Sequence, residues 1–500
     1  MAKIRERYFE RFDGGMVNDP RDPAAGACRV VTNFDILTNP RKLIPYRNSE
    51  DGDSAAATSR KQNFCIALRT GTTYRLYSLG VKSGATTAEV LMKDLTTSGD
   101  DDLADNTWLT PNNNQSSAGA TNFNLFIFYP KTTLIYGARA GTHIWAFDPT
   151  SVAGWADTHQ ALTYTNIAQG LVHPKDDILY IPYDNKIAKN DNGSWTTVAL
   201  TLPSHLYITS ICEYGNYLAI GCRPLSGQGD SQVYLWDRDS SLTTISESLN
   251  WGRGNLEILG VVDGLLVGIS LTGDSTTAFD DRVIFRALVG NRVEKFKEIR
   301  GDVDNLPISK QVVDGRLYFM MSINLNGSVR EGVWSIGRSL PTSPLALSHE
   351  RTPDNATALI NGSLLNFFIV GDFMFISYIS SSAYALSKTN DAVSYTTSIY
   401  ETQKTVAYDT EKLLGFEVNY EPVDGGTVVV KYKIQGETSY TQLFSHTATA
   451  STKSHATINI ESSGANLPEY EEIEFQITST GITILGWSFK SEELSKRMYE

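Results

Sequence analysis

Cysteine is scarce, with four in 500 residues at Cys28, Cys65, Cys212 and Cys222 and no CxxC pair among them. That excludes a disulfide scaffold. A two-residue turn at Gly215-Asn216 would set Cys212 opposite Ala219. Cys222 then lies three residues out of register, about 10 Å along the strands and too far for a bridge. All four read as free thiols, the usage of a reducing cytoplasm. Long apolar runs are also missing. The opening Met1-Ala2-Lys3-Ile4-Arg5-Glu6-Arg7 has no signal-peptide core, and Asn366 and Asp372 interrupt the most apolar window, Leu364 to Ile379. The expectation is neither export by that route nor membrane insertion. Positive charge is in deficit, 43 basic against 56 acidic residues for a net −13. A nucleic-acid-coating protein carries the opposite balance, so no sequence-specific nucleic-acid partner is expected.

The motifs of catalysis are missing as well. The seven histidines stand at no HxH, HxxH or HExxH spacing, and no GxSxG, GxxxxGK[ST] or GxGxxG sequence occurs. The sequence therefore predicts no catalytic residues, no metal and no cofactor. Asp100-Asp101-Asp102 with Asp105 and Asn106 lacks the spaced ligands of a calcium loop and reads as solvated. Asp191-Asn192-Gly193-Ser194-Trp195 resembles the turn-stabilising Asp-box of sialidase-type propellers. The Asn-Gly-Ser triplets at 192, 326 and 361 read as turns.

Helical periodicity is nearly absent, and short helices are expected only in the first dozen and last ten residues. What is present is short apolar or alternating runs bounded by Gly, Asn, Asp and Ser, the pattern of an all-β chain. It repeats. Val233, Val283, Val333 and Ala383 occupy like positions in successive copies of one strand, 50 residues apart. A tight turn precedes each by about twenty residues: Gly215-Asn216, Asp263-Gly264, Asp314-Gly315 and Gly371-Asp372. A fourth strand follows each third, as at Thr243–Ser246 and Arg292–Phe296. Four strands per ~50 residues is the sequence form of a β-propeller blade.

Looser copies at residues 134–147 and 177–188, with a shorter one at 62–95, predict six clear blades and a partial seventh. Seven blades are expected, alternatively six, with a missing strand supplied from the other end of the chain to close the ring. Third-strand aromatics (Tyr234, Trp236, Phe285, Trp334, Tyr384) read as packing between blades rather than a sugar ladder. The period assigns residues 61–403 to the propeller. Residues 404–500 read as a small C-terminal β-sandwich with a short tail. Residues 1–60 read as an extended N-terminal arm. Nine basic and six acidic residues precede residue 49, a local +3 that leaves −16 for the rest. With Arg5, Arg7, Phe9, Arg11 and Phe12 as anchors, this arm is expected to bind a partner, with Val30–Phe34 adding to a neighbouring sheet.

The opening carries a further pattern: Phe12-Asp13-Gly14-Gly15-Met16-Val17-Asn18-Asp19-Pro20, then Ala27-Cys28-Arg29-Val30-Val31-Thr32-Asn33-Phe34-Asp35-Ile36, then Lys42-Leu43-Ile44-Pro45-Tyr46-Arg47. It resembles the start of tailed-bacteriophage virion proteins with β-propeller bodies, of the tail nozzle, neck or tail-tip class. The resemblance implies a non-enzymatic structural subunit present as a ring of several copies. Its partners would be those copies and neighbouring virion proteins, in a virion assembled in the host cytoplasm. The alternative is a carbohydrate-binding or glycan-active propeller that recognises a host-surface glycan, with acid and base drawn from different blades. An intracellular scaffold propeller fits the free thiols but leaves the basic arm unexplained.

Overall fold

The computed structural model describes residues 4–17, 27–46, 49–51, 60–70, 73–82, 88–95, 125–139, 141–149, 155–226, 229–239, 245–273, 281–306, 309–325, 328–353, 359–370, 373–380, 383–389, 395, 397–449, 455–459 and 467–494. The polar stretch Thr97 to Thr121 with its Asp cluster, the turn Gly371-Asp372 and the triplet at 326 lie outside them. Among the described residues every regular element is a strand. The helix expected at the start is the strand Ile4–Phe9, whose exposure alternates with period two. At the other end the strand Ile484–Glu493 runs into the last ten residues. The chain divides into two compact units, one of residues 49–333 and 353–390, the other of residues 1–48, 334–352 and 391–500.

The first unit is a β-propeller. Its sheets follow one another along the chain, beginning with the three-stranded Arg60–Thr70, Thr73–Lys82, Ala88–Leu95, here blade 1. Blade 2 spans residues 126–161, blade 3 residues 171–201, blade 4 residues 206–253 and blade 5 residues 255–300. Blade 6 starts at Asp302 and blade 7 is built on Leu359–Val370, Phe373–Ser380 and Ala383–Thr389. Six of these sheets have four strands or more among the described residues. The ring closes where the inner strand of blade 7 lies along Arg60–Thr70. The closing strand does come from early in the chain, but Ser49–Asp51 completes blade 7, pairing Asp51 with Ser387, and blade 1 has three strands among the described residues.

Local chemistry accounts for the blades. Asp263-Gly264 and Asp314-Gly315 take φ of +46°, +78°, +49° and +75°, and Gly215 takes +60°, as two-residue hairpins require. The second strands Tyr217–Pro224 and Leu265–Thr272 are buried along nearly their whole length, because a neighbouring blade covers each face. The outermost strands Ser194–Thr201 and Arg292–Arg300 are largely exposed, the first rich in threonine and the second in charged residues. Val233, Val283, Val333 and Ala383 all lie in third strands. Their register drifts, Val233 facing Gly221 and Val283 facing Leu271, because the second turn of each blade varies in length. The fourth strand expected at Thr243–Ser246 begins instead at Glu247. The triplet at 361 sits inside Leu359–Val370, at a register shift, rather than in a turn.

Blades join through apolar clusters and through side-chain clasps on the inner strands. Trp236 of blade 4 meets Tyr180 of blade 3 edge-on at 5.8 Å, and Phe285 of blade 5 meets Phe319 of blade 6 at 6.1 Å. These are the packing roles expected of the third-strand aromatics. Gln169 clasps the Phe126 backbone, donating to its carbonyl at 2.8 Å and accepting its N–H at 3.1 Å. Gln311 does the same to Ile369 at 2.9 and 2.7 Å. Such clasps satisfy inner-strand backbone groups that the four-stranded ladder leaves open.

Among the described residues the second unit is built on a ten-stranded sheet bent into a half-barrel, beside the short pair Phe34–Asp35 and Ile44–Pro45, rather than on a sandwich of two separate sheets. Its order is Ile4–Phe9, Ile484–Glu493, Thr405–Tyr420, Glu469–Thr480, Ser398–Thr402, Ala27–Thr32, Gly15–Met16. Thr427–Ile434 and Thr441–Thr447 extend from Glu469–Thr480, and His455–Asn459 flanks Thr405–Tyr420. The bend brings Phe416 to 5.0 Å from Phe475 and to 5.3 Å from Trp487, giving the unit an aromatic core. The strands expected between residues 413 and 490 are all present. The expected boundaries shift, because residues 1–48 and Ser398–Thr402 join this sheet.

A glycine tests the joint between blades. A Cβ at Gly268 would stand 2.6 Å from Trp251 Nε1 and 2.8 Å from Leu256 Cδ1. Gly268→Ala is expected to cost about 1–3 kcal/mol in urea unfolding by overpacking. A cost near zero would show that the Trp251 contact can relax.

Candidate functional site

The five expected anchor residues are engaged within their own unit. Ile4–Phe9 pairs antiparallel with Ile484–Glu493, from Ile4 opposite Glu492 to Phe9 opposite Trp487. Alternation sends Arg5, Arg7 and Phe9 inward and Ile4, Glu6 and Tyr8 outward. Arg7 grips Glu411 with both guanidinium nitrogens, at 2.8 and 3.0 Å. Arg5 adds a bond to Glu411 at 3.0 Å and one to Glu493 at 2.8 Å. The hydroxyls of Tyr470 and Ser491 also donate to Glu411, at 2.9 and 2.6 Å. Phe9 stacks flat on Trp487 at 3.8 Å. Arg11 pairs with Asp13 at 2.6 Å. Phe12 is fully buried, edge-on to Tyr400. The described strand Ile4–Phe9 and the residues after it to Phe12 therefore pack against their own chain. Likewise Val30–Thr32 adds to Ser398–Thr402 of the same chain, Val31 facing Tyr400.

The remaining residues of the opening pattern have equally concrete roles. Buried Asp13 accepts from Ser339 at 2.7 Å and Ser343 at 3.0 Å. A Cβ on Gly15, at φ +69°, would fall 2.7 Å from the Leu347 nitrogen, so only glycine fits. Asn33 also takes a positive φ and bonds the Thr397 carbonyl and the Thr352 N–H. Asp35 accepts the N–H groups of Leu37 and Thr38 at 2.9 Å. Arg29 joins Glu401 at 2.6 Å and Glu474 at 3.4 Å.

Elsewhere the sequence candidates are structural. Asn192-Gly193 is the turn between third and fourth strands of blade 3, with the Asn192 N–H on the Tyr129 hydroxyl. Cys212 faces Ala219 as expected, Cys28 is buried, and Cys212 and Cys222 are buried free thiols. Burial pushes the Cys212 thiol up to about 11, which leaves it unreactive near neutral pH. Among the described residues no three His, Cys, Asp or Glu side chains gather as metal ligands. Inspection of the sequence missed one cluster: Glu257 of blade 5, bonded to Arg223, which also bonds the Tyr207 hydroxyl and lies 4.5 Å over its ring. Burial raises the Glu257 pKa against the pull of Arg223. Its members come from two blades with no shared motif, so no sequence signal marks them.

Glu411 gives the site a pH signature. Burial opposes its charge, but the bonds from Arg7, Ser491 and Tyr470 and the Arg7 charge hold its pKa at about 2, against an ordinary 4.5. The stabilisation is complete above pH 4.5 and is lost as pH falls toward 2, because the unfolded chain takes up the proton first. Urea titrations followed by tryptophan fluorescence should show this acid loss, and Glu411→Gln should flatten it and cost about 3 kcal/mol at pH 7. Deleting residues 1–12 should destabilise the half-barrel by about 3–5 kcal/mol, since Glu411 would stay buried without its cations. An unchanged acid limb in Glu411→Gln would refute this account.

No protein-family profile and no curated protein matches the chain. Solved structures resemble it distantly. The WD40 β-propeller domain of Doa1 is 11% identical, with a TM-score of 0.39 over 69% of this chain and 99% of that one. The extracellular domain of a hybrid two-component system from B. thetaiotaomicron is 12% identical at a TM-score of 0.42, over 74% of this chain and 45% of that one. An exo-β-1,3-galactanase from Phanerochaete chrysosporium is 8% identical at 0.32, over 89% and 99%. At these scores the likenesses carry no argument about this chain, and the β-propeller fold rests on its own sheets.

Proposed function

We propose that the chain is a non-enzymatic structural subunit of a tailed-phage particle, a tail, nozzle or neck component. In this reading the propeller is a rigid spacer. The half-barrel, with the N-terminal segment built into it, meets other copies of the chain and neighbouring virion proteins. One observation carries the reading: the described residues of the pattern that resembles virion openings are engaged in fastening the N-terminal segment. Phe12, Asp13, Gly15, Asn33 and Asp35 each have a packing or hydrogen-bonding task that fits a load-carrying element. Among the described residues Ile4–Phe9 is the terminal strand of its sheet, and Ile4 and Tyr8 are each 64% exposed. An open edge offers unpaired backbone groups to which another chain can add a strand.

Sedimentation and electron microscopy of the purified full chain are expected to show rings of several copies. Ile4→Asp with Tyr8→Asp should shift the population to folded monomers, with unchanged circular dichroism. A chain that stays monomeric at high concentration refutes the ring. Turnover of a polysaccharide, abolished by one carboxylate substitution, replaces this reading with the glycan-active one.

A further inference from the structure

Lys310 opens the inner strand Lys310–Val313 of blade 6. Its amino group donates three hydrogen bonds, all to neutral oxygens. One goes to the Ser210 hydroxyl at 2.6 Å and one to the Ile211 carbonyl at 2.7 Å, both on the inner strand of blade 4. The third goes to the Leu259 carbonyl on the inner strand of blade 5. One ammonium therefore links three blades. An ammonium has three donors and no acceptor, so these oxygens satisfy it fully. Burial of the amino group pulls its pKa down to about 8, which leaves it charged at neutral pH.

The oxygens are held in place without the lysine. Ser210 and Ile211 lie in the ladder with Tyr217–Pro224, opposite Gly221 and Ile220, and Leu259 lies opposite Gly268 in the ladder of blade 5. Ser210 Oγ also accepts the Leu259 N–H at 3.1 Å, which fixes blades 4 and 5 at this point. Neutral hydroxyl and carbonyl oxygens replace the hydration shell of a monovalent cation. Divalent cations are held mostly through carboxylates, and none takes part here.

We propose that Ser210 Oγ and the carbonyls of Ile211 and Leu259 form a monovalent-cation site at the joint of blades 4, 5 and 6, with the Lys310 ammonium as its resident cation. The site works as an internal rivet, and with the side chain cut back it takes a free ammonium or potassium ion.

The test is the thermal transition of full-length Lys310→Ala in ammonium, potassium and choline chlorides at equal ionic strength. In choline its Tm should fall about 5–10 °C below that of the unsubstituted chain. Ammonium or potassium should restore about half of that loss with a saturable concentration dependence. The unsubstituted chain should show no such difference between salts. Lys310→Met fills the same space with an uncharged stem, so it should be destabilised and indifferent to the cation. Recovery of soluble Lys310→Ala only with ammonium or potassium also supports the site. Equal behaviour in all three salts, misfolding of Lys310→Ala in all of them, or a cation response in Lys310→Met overturns it.

Discussion

Glu411 places a full negative charge inside the half-barrel, and it stays ionised there because Arg5 and Arg7 reach it from the opposite end of the chain. Much of that unit's order follows from this requirement. A carboxylate without water needs several donors, and four side chains supply them: Arg5, Arg7, Tyr470 and Ser491. Those donors fix the register of Ile4–Phe9 on Ile484–Glu493, since a slip of one residue would turn both arginines to solvent. With that strand in place, Phe9 covers Trp487 and so extends the aromatic stack through Phe416 and Phe475.

The propeller unit solves a different problem. Its blades bury both faces, so apolar packing alone would let neighbouring blades slide over one another. Directional contacts limit that sliding. Gln169 and Gln311 clasp backbone groups of the adjacent inner strand, and Thr209 donates to the Leu256 carbonyl at 2.6 Å. Lys310 adds a charge-assisted link across three blades. Ser49–Asp51 completes blade 7 as its outer strand and covers the edge of Ala383–Thr389.

These two designs bear on the functional proposal in the same way. The polar side chains that sequence inspection picks out as anchors are mostly committed to fastening. On the outward face of Ile4–Phe9, Ile4 and Tyr8 are exposed and Glu6 pairs with Lys490.

The sequence by itself determined the all-β class, the repeat, most strand positions and the chemistry of the first hairpin turns. Those features are local: Asp-Gly pairs impose positive φ, and two-face burial writes apolar runs at each second strand. The 50-residue spacing placed Val233, Val283, Val333 and Ala383 correctly in third strands, though not in identical register. The tertiary structure alone decided which strands pair across long sequence distances. Nothing periodic in Ile4–Phe9 announces Ile484–Glu493 as its partner, and its charges read equally well as a solvated arm or a short helix. The destination of Ser49–Asp51 and the convergence of Ser210, Leu259 and Lys310 are equally non-local. Such contacts depend on how whole faces fit together, and neither residue type nor spacing encodes that in a single stretch of chain.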